Sequence, residues 1–329
     1  MSDQGSSWDR VPIDAQSINA PLSRAAVFLV VTVNDTPAAL AKACDALSSV
    51  GDLLKDVGFR DLTAHLSCVV GIGSDLWKRL GIAKRPAELK PFAAIQGAKH
   101  NAPATAGDVL FHIRADRADL VFEFERVLLD KLGDAVQVED EVSGFRYFDA
   151  RDLLGFVDGT ANPDGSDLPA ATQVGSEDPA FCGGSYVVVQ KYLHDLTAWG
   201  QVPVEQQEKI IGRTKLDNVE LDDDAWAQKT HKTLATIVDE KGVEHDILRD
   251  NMPFGRPGQQ EFGTYFIGYS RRLWVTEKML QRLFIGEPVG KYDRLLDFST
   301  AKTGCTFFVP TRAMLGNLPQ LATALAKKA

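Results

Sequence analysis

One short run, Gly155-Phe156-Val157-Asp158-Gly159-Thr160, sets a single carboxylate between two glycines. Glycine lets a backbone bend sharply and approach another group closely, so this run can aim Asp158 into a cavity. A free aspartate titrates near 4, so such a group is an anion at neutral pH. With Asn162-Pro163 following, the same residues also suit a turn closed by an Asx cap, and the run alone permits both readings. The four cysteines, Cys44, Cys68, Cys182 and Cys305, are scattered and contain no C-x-x-C pair. They match neither a zinc site nor a disulfide framework, and read as structural thiols of a reducing compartment. The acidic run Asp222-Asp223-Asp224 reads as a solvated surface.

The elements that must position these groups come in two similar sets. Residues 25–34 are apolar and β-branched, a strand, and Thr36 is a plausible N-cap for a helix over 37–49. A strand over 62–72, a short helix over 74–80 and a strand over 109–114 follow. Residues 116–132 carry apolar side chains at helical spacing, and 136–148 alternate as a strand. The second half repeats the order: strand 184–193, helix 204–212 after Pro203, strands 246–252 and 262–270, helix 275–284, strand 305–310. The expected fold is α+β: two ferredoxin-like domains, each a four-stranded antiparallel sheet with helices on one face. The expected division is a polar tail (1–20), an N-terminal domain (21–150), a C-terminal domain (151–315) and a tail (316–329) in an amphipathic stretch. Two long segments, 158–185 and 214–239, have turn-rich or acidic sequences and read as irregular; loops of that length are often functional.

The 329 residues suit two domains of roughly 150 each. A net charge of −9 argues against nucleic-acid or anionic-membrane partners, which favour a basic face. No apolar run approaches the roughly 20 residues that span a bilayer. The polar N-terminus lacks a basic-then-apolar export pattern, so a cytoplasmic protein is expected.

The run at 155–160 resembles the G-x-x-D-G-T motif of the dye-decolorizing peroxidases, in the form of their bacterial B-type members. The resemblance extends to Arg249-Asp250-Asn251-Met252-Pro253-Phe254, to residues 263–269, to Asp293-Arg294-Leu295-Leu296-Asp297-Phe298 and to residues 304–310. It covers most of the second half in the expected order, and the first half resembles the sheet-and-helix partner of a haem domain. It implies a peroxidase that holds haem b in the second domain. Such an enzyme reduces hydrogen peroxide to water through a ferryl intermediate and oxidises aromatic dyes, phenols or metal ions.

The resemblance also distributes roles. His231 lies 18 residues before Arg249, the separation the motif implies for the iron ligand. His245 is the alternative, but a single strand would put it on the face of Arg249. His65 and His112 fall in apparent strands, His100 in a polar loop and His194 at a strand end. The flanks of His231, Thr230 and Lys232, depart from the small residue and arginine of the family. Asp293 matches the position of the ligand's carboxylate partner, which fixes the tautomer and raises the basicity of the imidazole. Asp158 matches the base that moves a proton between the peroxide oxygens, and Arg249 the cation that steadies the departing oxygen. Arg249 can also meet a haem propionate. Asn251 would face the same site, and Gly159 and Thr160 would line the cofactor. Electrons from bulky aromatic reductants would pass through a side chain such as Trp199, Trp226, Trp274 or Tyr192. Homo-oligomerisation is compatible with the sequence. A haem-handling protein with incidental peroxidase activity would use the same pocket, whereas a metal-free ligand-binding module leaves this residue set without a reason.

Overall fold

Long β-branched and aromatic runs such as Val27-Phe28-Leu29-Val30-Val31 are apolar on both faces, which suits strands covered on both sides. The computed structural model describes residues 15–222 and 228–320. Ten strands form its main sheet: β1 (Ala25–Val33), β2 (Ser67–Gly73), β3 (Val109–Ala115), β4 (Val136–Phe145), β5 (Ser185–His194), β6 (Leu248–Arg249), β7 (Met252–Arg256), β8 (Glu261–Ser270), β9 (Ser299–Ala301) and β10 (Cys305–Val309). Their spatial order is β6-β8-β5-β10-β2-β3-β1-β4, with β7 also paired to β8 and β9 to β5.

The first half therefore runs β2-β3-β1-β4 and the second β6/β7-β8-β5-β10, the same second-third-first-fourth arrangement twice over. This is the ferredoxin-like pattern expected from the order of elements. The halves merge where β10 pairs with β2, Phe307 opposite Gly73 and Phe308 opposite Ile72. One face of the first half packs Leu29, Val31, Phe111 and Ile113 against Leu120, Phe124 and Leu128 of the helix Ala118–Leu132. The other face, Phe28, Val30 and Leu110, meets Tyr265, Ile267 and Phe307 of the second half. The sheet curls far enough for its ends to meet. A Cβ on Gly144 in β4 would lie 2.6 Å from the Cβ of Met252 in β7.

Four expectations need correction. Residues 62–64 form a single 3₁₀ turn capped by Asp61, and His65 follows at φ 53°, so the strand begins only at Ser67 and His65 is outside it. The segment 246–252 is not one strand: Leu248–Arg249 and Met252–Arg256 both pair with β8, and Asp250 and Asn251 interrupt them. His245 belongs to a separate two-residue strand paired with Ile237–Val238, so it shares no strand with Arg249. Both long irregular segments contain helix, Asp167–Thr172 in one and His231–Ala235 in the other. Asp223, Asp224, Trp226 and most of the C-terminal tail lie outside the described residues. Among the described residues no helix is long and apolar enough to cross a membrane.

Candidate active site

Asp158 follows the short bridge between Arg151 and Val157, and its amide donates to the Ala150 carbonyl at 2.9 Å. Gly159 turns the chain at φ 81°, a conformation that favours glycine. Its amide donates to Asp158 Oδ1 at 2.7 Å. The other oxygen, Oδ2, accepts from Asn251 Nδ2 at 3.0 Å. Asn251 is aimed in turn by the Ile267 amide, which donates to its Oδ1 at 3.0 Å. This bond is open to Asn251 because it stands outside the β6 and β7 ladders. Thr160 Oγ1 accepts from Asn218 Nδ2, and Gly159 and Thr160 both line the same cavity as Asp158.

Arg249 is held by its backbone. The side chain of Asn162 takes the Arg249 amide on Oδ1 at 3.0 Å and donates Nδ2 to the Arg249 carbonyl at 2.6 Å. Asn162 is thus not an Asx cap on its own turn; it joins the Asp158 loop to the strand of Arg249. The Arg249 Nε is buried without a hydrogen-bond partner. Burial lowers the pKa of the guanidinium, and the carboxylates of Asp158 and Asp246 oppose that effect.

Another part of the wall presents His231, first residue of the helix His231–Ala235. Thr230 caps this helix by accepting the Thr233 amide. His231 Nδ1 is 2.6 Å from Asp293 Oδ2. Asp293 is buried, and its second oxygen accepts the Leu295 amide at 2.9 Å, so the carboxylate cannot swing away. A carboxylate beside Nδ1 keeps the proton of the neutral ring there and leaves Nε2 as the free ligand nitrogen. Burial opposes charge on His231, but the charge and hydrogen bond of Asp293 outweigh it and raise its pKa. The side chain remains 33% exposed, and because His231 lines the cavity that exposure is to the cavity interior.

His194 and His245 also line this cavity, yet both are engaged. His194 is bonded through both nitrogens, to Ser299 at 2.7 Å and Thr264 at 2.9 Å, and burial pushes its pKa down to about 4. His245 Nε2 is 3.1 Å from Asp239, and the ring packs edge-on against Trp274. His65, His100 and His112 lie elsewhere, against Asp116, Asp297 and Tyr269 respectively. The rest of the lining is largely apolar, with Ile211, Phe266, Val275, Met279, Leu280 and Leu283, and it includes Arg213 and Lys232. The sequence reading missed Asn162, His194 and Arg213. Only the Asn-Pro step beside the motif hinted at Asn162, and nothing local marked the other two. Trp199 is buried with its Nε1 donating to the Leu154 carbonyl, and does not line the cavity, whereas Tyr192 does.

An apolar cavity lined by an imidazole whose Nδ1 is held by a carboxylate, an arginine whose buried Nε has no hydrogen-bond partner and a second, hydrogen-bonded carboxylate suits a haem peroxidase. The donor set fits the group: an imidazole for iron, apolar walls for the macrocycle, cations for its carboxylates. Comparison with known proteins agrees. Family models for the N-terminal and C-terminal parts of Dyp-type peroxidases match residues 15–146 and 149–314. A dye-decolorizing peroxidase of Rhodococcus erythropolis is 52% identical over 319 residues, 97% of this chain and 93% of its own length. A variant of Rhodococcus jostii DypB in complex with haem superposes with a TM-score of 0.90 at 56% identity, covering 92% of this chain and 98% of that one. The encapsulated DyP-type peroxidase of Mycobacterium smegmatis gives a TM-score of 0.89 at 53% identity, covering 92% and 97%. The chain belongs to the dye-decolorizing peroxidase family and is a haem-dependent peroxidase.

Proposed function

We propose that His231 ligates the haem iron, with Asp293 as its carboxylate partner, and that Asp158, Arg249 and Asn251 cleave hydrogen peroxide. The bound haem supplies the iron that meets peroxide and stores the oxidising equivalents. Asp158 takes a proton from the inner peroxide oxygen and returns it to the outer one as that oxygen leaves as water. Asn251 holds the carboxylate that moves the proton. Arg249 steadies the negative charge of the leaving oxygen and is available to a haem carboxylate. Asp293 keeps the Nδ1 proton of His231 and makes Nε2 more basic. Gly159 and Thr160 line the cofactor. The observation that carries this reading is the pairing, in one cavity wall, of a clamped Asp158 with an Arg249 whose buried Nε has no hydrogen-bond partner. A haem-handling protein gives no reason for that pairing.

The reductants in this reading are small aromatic compounds, phenols or metal ions. The protein works in the cytoplasm, as a homo-oligomer or enclosed as its Mycobacterium smegmatis relative is. Haem is held by the C-terminal domain, residues 151–315. The test begins with protein loaded with haem, whose Soret band shifts on adding peroxide; an unchanged band sinks the assignment. His231→Ala loses the native iron ligation and His245→Ala keeps it. The reverse result transfers the ligand role to His245.

A further inference from the structure

Tyr269 and Tyr265 stand four residues apart on β8, and both side chains enter the closed interior between the halves. Phe28 stacks on Tyr265 with ring centroids 4.2 Å apart and on His112 at 4.8 Å. His112 and Tyr269 are fully buried, and His112 Nδ1 is 2.8 Å from the Tyr269 hydroxyl. Asp250 Oδ2 lies 4.0 Å from the other ring nitrogen and accepts Arg114 Nη1 at 2.6 Å. On β8, Thr264 and Phe266 line the cavity while the alternate Tyr265 and Tyr269 face the interior, so the cluster lies across the sheet from the cavity, and Asp250 sits between the cavity-lining Arg249 and Asn251.

His112 Nε2 is buried without a hydrogen-bond partner, with Asp250 Oδ2 4.0 Å away, and a ring protonated there leaves Nδ1 to accept from the Tyr269 hydroxyl. A neutral imidazole is a base, so this phenol has a place to send its proton. Tyr265 and Tyr192 do not, and the buried Tyr186 hydroxyl accepts the Glu88 amide at 3.0 Å. The Tyr265 hydroxyl has no partner, and Tyr192 donates to the amide oxygen of Gln190. Oxidation of a phenol without a base leaves a strongly acidic radical cation on the ring, whereas an imidazole within hydrogen-bond reach takes up that proton.

We propose that Tyr269 and His112 form a buried redox pair that takes up one oxidising equivalent from the haem when no external reductant is present. One electron passes from the Tyr269 ring to the oxidised cofactor. The phenolic proton crosses the hydrogen bond to His112 Nδ1, leaving a neutral tyrosyl and an imidazolium. Asp250 faces that imidazolium. A reductant electron then restores the phenol, and the proton returns from Nδ1. Depressed basicity supports a neutral resting His112: burial, assisted by the Arg114 charge, holds its pKa well below the usual value. The inference rests on the peroxidase activity argued above, which supplies the oxidant.

The test mixes holoprotein with one equivalent of hydrogen peroxide without reductant, records the haem spectrum and freezes the sample for electron paramagnetic resonance. A tyrosyl signal is expected in the wild type and in Tyr265→Phe, and is lost in Tyr269→Phe, which removes a single oxygen. In wild type the signal also carries a coupling to one hydrogen-bonded proton that disappears in D₂O, a readout independent of any variant's folding. Haem that peroxide leaves unoxidised overturns both the peroxidase reading and the pair. Oxidised haem without a tyrosyl signal, a signal that survives in Tyr269→Phe, or one lacking the exchangeable coupling overturns the pair alone.

Discussion

Replacing Arg249 by Leu separates what this side chain does for folding from what it does for peroxide. In the free protein its guanidinium is a buried charge whose Nε has no partner, and burial already lowers its pKa. Uncompensated burial of a polar group costs about 1–3 kcal/mol on mutational scales, so the side chain contributes little to stability. Leucine fills similar volume without that penalty. The apoprotein melting temperature is therefore expected to stay level or rise, as at other functional sites that sacrifice stability. The rate of haem oxidation by peroxide, followed by stopped-flow, is expected to fall about 10²–10³-fold, equivalent to about 3–4 kcal/mol of lost transition-state stabilisation. Arg249→Lys keeps the charge without the planar fork and should fall between the two. The reasoning fails if Arg249→Leu melts well below wild type while its peroxide rate is unchanged, because the guanidinium would then be a structural group.

Asn162→Ala removes both side-chain bonds to the Arg249 backbone. With about 1 kcal/mol for each and a desolvation penalty for what is left unpaired, a loss of about 2–3 kcal/mol in chemical denaturation is expected, together with a slower peroxide reaction. Equal stability would mean that water replaces the clamp. Asp293→Asn retains an acceptor for the Leu295 amide but loses the charge on His231 Nδ1; haem affinity or activity should drop roughly 10–100-fold and the iron reduction potential should rise, read by haem titration and spectroelectrochemistry. A potential at the wild-type value would remove Asp293 from the role of partner. The apoprotein should also lose stability in acid. His194 is held at about 4 against an ordinary 6.5, so the unfolded chain takes the proton first. That contribution is intact above 6.5 and declines as the pH falls to about 4, by up to roughly 3 kcal/mol, with His112 acting in the same direction. His194→Gln should flatten the pH profile of urea unfolding, and an unchanged slope would exonerate this histidine.

Element order was readable because each half alternates short β-branched runs with helical spacing, and that grammar specifies the doubled ferredoxin-like arrangement. The merging of the halves was not, since the pairing of β10 with β2 joins residues far apart in the chain. Asp158 was visible because two glycines beside a carboxylate are a local signal. His231 was visible only through a spacing learned from relatives, as its helix is a single turn within an acidic, irregular segment. Asn162 looked like turn chemistry because a side chain that bonds a distant backbone leaves no trace in its own neighbours. The single strand expected over 246–252 failed for a related reason. Its apolar and polar residues suit a strand, and only tertiary bonds to Asp250 and Asn251 interrupt it.

That interruption explains how three consecutive residues serve two compartments. In an unbroken strand Arg249 and Asn251 would share a face but keep their backbone groups in the ladder. Here the Arg249 backbone is satisfied by Asn162, and the Ile267 amide by the side chain of Asn251. The chain can then set both side chains in the cavity wall at the height of Asp158. Asp250, released to the other face, becomes the counter-ion of Arg114, whose Nη2 also reaches the Ser17 carbonyl at 2.5 Å. Removing one member of a buried ion pair costs about 3–5 kcal/mol, because its partner is left as an uncompensated charge. Asp250 is thus a buried anchor between the two residues that line the cavity, and its register fixes theirs.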